Sequence, residues 1–244
     1  ECLHTVDEAI EYINKVGFLP LFKNDIPGFS LEERTVPEFW WCENPEVDPW
    51  EWRAIIAGRG DIAYGKFFNK KAGFISRKWF PYFANYRRDG YDFDSLWEDE
   101  KASARQKKIM DLFDHDSELY SFEAKKNAGF GKDGEKNFDG VVSELQMMTY
   151  LCIRDFRQKK NKKGQGYGWA LAVYSMPEHL YGYDHVSSAY NEEPIESGKR
   201  IAAHLKDVYP IATADQIASI IGIPVGAERI RKKKEIKVFF NIKP

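Results

Sequence analysis

The stretch SARQKKIMDLFDHDSELYSFEAKKNAGFGKDGEKNFDGVVSELQMMTYLCIRDFRQKKNKKGQGYGWALAVYSMP, residues 103–177, carries three helical patterns, then a strand, a basic turn and a second strand. Ser103 and Gln106 form a capping box, in which side chains and backbone amides satisfy each other, and Ile109, Met110, Leu112 and Phe113 follow as a buried face. Asp114, Asp116 and Ser117 end that helix. Ser121 opens a second, which offers Phe122 and Ala124 to a core and stops at Gly129, a residue free to adopt the left-handed helix terminus. A third spans about Glu135 to Met148. Its apolar stripe is Phe138, Val141, Leu145 and Met148, and Lys136, Asn137, Gly140, Ser143, Glu144 and Met147 form the outward face. After Met148 the period becomes two: Leu151, Ile153 and Asp155 alternate with Cys152, Arg154 and Phe156, and Trp169, Leu171 and Val173 share one face of a returning strand. Three helices and a hairpin describe a winged helix-turn-helix whose third helix is the recognition element.

The turn of that hairpin is basic. Arg154, Arg157, Lys159, Lys160, Lys162 and Lys163 are opposed only by Asp155, ahead of the flexible tip Gly164-Gln165-Gly166. A solvated edge stays soluble with fewer charges, so this wing is expected to contact nucleic-acid phosphates. Lys136, Asn137 and Ser143 on the third helix join it as expected DNA contacts.

Outward from this centre the signals are mostly local. Thr5 and Glu8 cap a helix to Val16, with Ala9, Ile10, Ile13 and Val16 inward, and Gly17 ends it. Residues 24–49 are rich in proline and acids and read as loops, with Phe39-Trp40-Trp41 anchored to the body. Pro49 opens a helix to Ala57, and Ile62–Phe68 and Gly73–Ser76 read as a second hairpin, after which Ser76 is expected to cap a helix carrying Trp79, Phe80, Phe83 and Tyr86. Beyond Pro177 a polar connector leads to a helix over Pro194–Val208, then to a Thr213–Gln216 capping box with Ile217, Ile220 and Ile221 behind it. A further helix over Val225–Lys234 and a strand over Glu235–Ile242 complete a second helix-turn-helix. Arg231, Lys232, Lys233 and Lys234, with Arg229, exceed what one helix end can use and are expected to form an auxiliary phosphate contact. The expected fold class is therefore α+β, mainly helical, with tandem winged helix-turn-helix units and small antiparallel β-hairpin wings. Its expected domains are 1–93, 94–177 and 178–244.

With 43% hydrophobic and 15% aromatic residues, 244 residues suffice to bury one large core or several small ones. Net charge of −2 hides an uneven distribution: residues 151–175 hold six basic side chains against one acidic, and residues 225–244 seven against two. Cys2, Cys42 and Cys152 form neither a disulfide framework nor a Cys-x-x-Cys pair, which fits a reducing cytoplasm. No apolar run has the ~20 residues of a membrane span, so no membrane partner is expected. Because the chain opens on Glu1, a short preceding piece is expected to be missing.

Gly129, Gly131 and Gly134 match Gly-x-Gly-x-x-Gly, but a helix rather than a strand precedes them, so no dinucleotide and no other cofactor is expected. His179 and His185 lack metal-ligand spacing, and no serine sits in a Gly-x-Ser-x-Gly elbow. Trp40, Trp41, Trp50, Trp52, Tyr64, Trp79, Tyr82 and Tyr86 could stack on an extruded base, but their spacing reads as core.

At two segments the chain resembles the bacterial AlkZ-related proteins. They run from Gly129-Phe130-Gly131 through Glu144-Leu145-Gln146 to Tyr150-Leu151-Cys152-Ile153-Arg154-Asp155-Phe156, and from Ile62-Ala63-Tyr64-Gly65-Lys66-Phe67-Phe68 to Gly73-Phe74-Ile75-Ser76. The resemblance covers most of residues 17–183. These proteins are distant relatives of the AlkZ and YcaQ DNA glycosylases, which are built from tandem winged helices and remove alkylated or crosslinked bases. The resemblance implies double-stranded DNA as partner. It carries the chemistry less far, because those glycosylases hold a Gln-x-Gln or Gln-x-Asp pair, and here Lys108, Met148, Lys160, Tyr167 and Ala218 stand two residues after each glutamine from Gln106 onward. The expected function is a non-enzymatic DNA-binding protein, regulatory or repair-associated. The alternatives are a glycosylase-like base-excision enzyme acting on alkylated DNA, and a module that binds a protein partner.

Overall fold

The computed structural model describes residues 2–222. The caps at Thr5, Ser103 and Thr213 form where the residues place them, whereas Ser121, expected as an N-cap, is the first residue of its helix and follows an N-cap at Tyr120. Helix α1 (Val6–Val16) has Thr5 as N-cap, with the Thr5 hydroxyl accepting from the Glu8 amide. Asp48 accepts from the Trp50 amide and opens α2 (Pro49–Arg59). Helix α3 (Phe80–Arg88) starts at Trp79 without a side-chain cap; the expected capping residue, Ser76, lies at the end of a strand with its hydroxyl buried and unpaired. Next come α4 (Phe93–Glu98), α5 (Ala104–Met110) with the Ser103–Gln106 capping box, α6 (Ser121–Asn127) and α7 (Phe138–Met147). The connector after Pro177 folds into two short helices, α8 (Pro177–Tyr181) and α9 (Tyr183–Val186). They lead to α10 (Pro194–Val208) and to α11 (Ala214–Ile221) with its Thr213–Gln216 capping box. The expected helix and strand after Val225, and the basic run with Arg231, Lys232, Lys233 and Lys234, lie outside the described residues.

The strands overturn the expected fold class. They are β1 (Phe18–Pro20), β2 (Ile62–Phe68), β3 (Lys71–Ser76), β4 (Leu119–Tyr120), β5 (Cys152–Lys160) and β6 (Gly166–Ser175). All six join one antiparallel sheet in the order β1-β3-β2-β5-β6-β4. The two expected wings are therefore not small hairpins on separate mainly helical units. They meet at Tyr64↔Ile153 and form the middle of a common sheet. Pro20, which lacks an N–H, is tolerated because β1 is an edge strand.

Two apolar clusters pack against this sheet. One gathers Ile13, Phe18, Trp52, Phe74, Phe83, Ile201 and Ile217, so it draws on both ends of the described chain. The other holds Leu96, Ile109, Phe113, Ala124, Val141, Leu145 and Leu151 between α4 and the start of β5. Most of the aromatic set read as core is buried or half-buried, but Trp41 is 67% exposed.

Candidate nucleic-acid interface

Past Ile153, β5 has no partner in β2, and β4 pairs only with Tyr174 and Val173 of β6. The rest of the β5–β6 hairpin is thus an arm projecting from the sheet, with residues 161–170 exposed. Its tip is closed by Asn161: the Gln165 carbonyl accepts from the Asn161 amide at 2.9 Å, and the Asn161 side-chain oxygen accepts from the Lys163 amide at 2.8 Å.

The root is braced by its two arginines. Arg154 Nη1 donates to the carbonyls of Ala57 (2.9 Å) and Gly58 (2.7 Å), satisfying the C-terminal end of α2. Arg157 makes a two-pronged ion pair with Glu118 and donates from Nε to Asp155 Oδ2 at 2.6 Å. The hydrogen bond to Glu118, then that to Asp155, raise its pKa further above the ordinary arginine value. Both cations have protein partners and anchor the arm.

The lysines are differently placed. Lys159 Nζ lies 4.2 Å from the centre of the Phe122 ring of α6. Lys160, Lys162 and Lys163 have exposed side chains with no ion-pair partner among the described residues. The exposed Lys125 and Lys126 stand on α6, which packs on β6. The arm therefore presents unneutralised positive charge at its outer end.

The third-helix residues do not join this surface. Ser143 is buried, donates to the Asp139 carbonyl at 2.6 Å and accepts from Lys66 Nζ at 3.3 Å. Gln146 is buried beside it and accepts from the Lys66 amide at 2.8 Å. Strand β2 thus covers the face of α7 that the sequence reading gave to a DNA groove, while Val141 and Leu145 face the second core. Lys136 and Asn137 precede the helix. Lys136 Nζ turns back on the carbonyls of Gly131 and Lys132, and Asn137 is the N-cap, in the left-handed region at φ 66°.

Sequence reasoning missed the aromatics of the arm. Trp169 is 92% exposed and Tyr167 52%, and Phe122 of the adjacent α6, expected in a core, is 38% exposed. Tyr167 is the register partner of Lys159, so the two share a face of the hairpin. The signal was the run Gly166-Tyr167-Gly168-Trp169, in which glycines interrupt the strand next to the lysines.

The sequence profile of the family described as AlkZ related matches residues 3–222. The chain belongs to the AlkZ-related family. The match spans both cores and the whole arm of this AlkZ-related protein. No curated protein and no solved structure matches the chain. None of the helices among the described residues is long and apolar enough to cross a membrane.

Proposed function

We propose that this AlkZ-related protein binds double-stranded DNA and grips the phosphate backbone with the β5–β6 arm. The observation that carries the reading is the split among the arm's cations: Arg154 and Arg157 are engaged at its root, and Lys159, Lys160, Lys162 and Lys163 crowd its projecting end without an acidic partner among the described residues. Unpaired like charges repel one another, and a polyanion relieves that repulsion while its counterions are released. Membership of a family related to glycosylase-like proteins supports DNA as that polyanion.

The test is a variant with all four lysines replaced by alanine, measured on a duplex over a range of salt. If each lysine meets one phosphate, the slope of log affinity against log salt falls in magnitude by about 3 to 4, at roughly 0.9 per contact. The exposed Lys160, Lys162 and Lys163 each change stability by no more than about 0.5 kcal/mol, and Lys159 adds the roughly 0.5–1 kcal/mol of its contact with Phe122, so a measured melting midpoint serves as the control. An unchanged duplex affinity and slope would refute the reading.

A further inference from the structure

Strand β6 does not run evenly past β5. Arg157 pairs with Leu171, but two residues on, Lys159 already pairs with Tyr167, so Gly168, Trp169 and Ala170 together stand opposite Gln158. This is a bulge, and it is held in place. Gln158 Nε2 donates to the Gly168 carbonyl at 2.8 Å, and Gly168 takes φ +73°, which its lack of a side chain allows. The Gln158 side chain also occupies the space over Gly166, where an added Cβ would meet its Oε1 at 2.4 Å. Trp169 stands in this bulge, on the part of the arm where both faces are exposed, and is itself 92% exposed.

A solvated hairpin has no need of a tryptophan there, since any polar residue would keep it soluble at less cost. The surroundings indicate what would cover the ring. Trp169 stands opposite Gln158, two residues from Lys160 on the facing strand, or about 7 Å along it. Lys162 and Lys163 follow in the tip, and Tyr167 stands beside it on the same strand. A partner fitting this surface is an anion chain that offers flat apolar faces at intervals. Single-stranded nucleic acid combines those properties, because every base has a face to stack and every linkage a phosphate.

We infer that Trp169 is a stacking platform for an unpaired base, so that the arm prefers DNA with a locally open, single-stranded segment to a fully paired duplex. The inference rests on the DNA-binding reading above and goes beyond it. The lysines hold phosphates in either substrate, and Trp169 acts only where a base face is free.

The test compares two fluorescently labelled oligonucleotides by anisotropy: a paired duplex, and the same duplex interrupted by a run of unpaired thymidines. The native protein is expected to favour the interrupted one. Trp169→Ala should weaken binding to it between about five-fold and a hundred-fold, the range of one lost base stack, with paired-duplex affinity and salt slope unchanged. Trp169→Phe, which keeps a ring, should retain most of the preference. Equal affinity of the native protein for both oligonucleotides, or the same loss on both in Trp169→Ala, would overturn the inference and leave lysine-dependent duplex binding standing. A blue shift of tryptophan fluorescence on phosphatidylserine vesicles that Trp169→Phe abolishes, without a preference between the oligonucleotides, would overturn it in favour of a membrane surface. No effect of the four-lysine variant on either oligonucleotide would sink the underlying reading instead.

Discussion

Replacing Arg88 by methionine is expected to destabilise the fold by about 3–5 kcal/mol, the usual cost of leaving one half of a buried ion pair behind. For a chain of this size that lowers the melting midpoint by on the order of 10 °C. Arg88 is 1% exposed. Its Nη1 meets Glu178 Oε1 at 2.5 Å, its Nη2 donates to the Thr149 carbonyl at 2.6 Å, and its Nε donates to the Thr149 hydroxyl at 3.2 Å. Methionine fills the space of the aliphatic stem but leaves Glu178 a carboxylate whose Oε2 is already buried and unpaired. Thr149 gives the site a second importance. It sits at φ 67°, a conformation costly for a β-branched residue, in the turn that carries the chain from α7 into β5. Arg88 holds that turn, and so the root of the arm, in place. The variant is therefore expected to lose amide protection in β5 as well as global stability. Arg88→Met combined with Glu178→Leu should recover much of the loss, because an apolar pair of similar volume replaces two desolvated charges. Denaturant unfolding of the single and double variants checks both points. A single-variant loss under about 1 kcal/mol, or no recovery in the double, would contradict the account.

What could be read in the sequence was what short-range physics decides. The caps at Thr5, Ser103 and Thr213 are settled within four residues, and the structure has all three. Leu151–Phe156 and Trp169–Tyr174 alternate with period two, and most of their residues pair across the hairpin. The meeting of the two hairpins was not legible, because Tyr64 and Ile153 carry no mark of each other across the intervening residues. The expected fold class failed at that junction. The face of α7 failed for another reason. Ser143 is polar and its spacing puts it on the outward face, but burial costs a polar group little when it is hydrogen-bonded, and Lys66 and the Asp139 carbonyl supply the partners. At the arm, a count of charges could not separate Arg154 and Arg157, which hold the root, from the lysines at the end. The bulge that holds Trp169 breaks the regular pairing that the strand reading implied.

Phe18 is where the strand that the sequence hid becomes testable, and Phe18→Ala is expected to cost about 3–5 kcal/mol. In the sequence Phe18 to Phe22 is only a short apolar run broken by Pro20. In the structure Phe18 begins β1, pairs with Ile75 and is 0% exposed. Its ring lies 4.9 Å from that of Phe83 and 6.0 Å from those of Phe29 and Trp79, in edge-on arrangements, with His204 of α10 also at 6.0 Å. Those neighbours come from separate elements, and His204 is itself tied to the Val16 carbonyl at 2.9 Å and stacked on Trp79. Rings fixed from several sides cannot collapse into the space a deleted phenyl leaves, so the cavity persists and its cost adds to the lost transfer energy. The backbone gives β1 little independent hold, since it is a three-residue edge strand and Pro20 has no N–H to donate. Phe18→Leu keeps much of the volume and should lose less than half as much. Hydrogen exchange on Phe18→Ala should show protection falling first in β1 and α1, while the β5–β6 pairs nearest Cys152 stay protected until global unfolding. A loss below about 1.5 kcal/mol would mean that the surrounding rings close over the gap, and that the junction of α1, β1, α3 and α10 is looser than its packing implies.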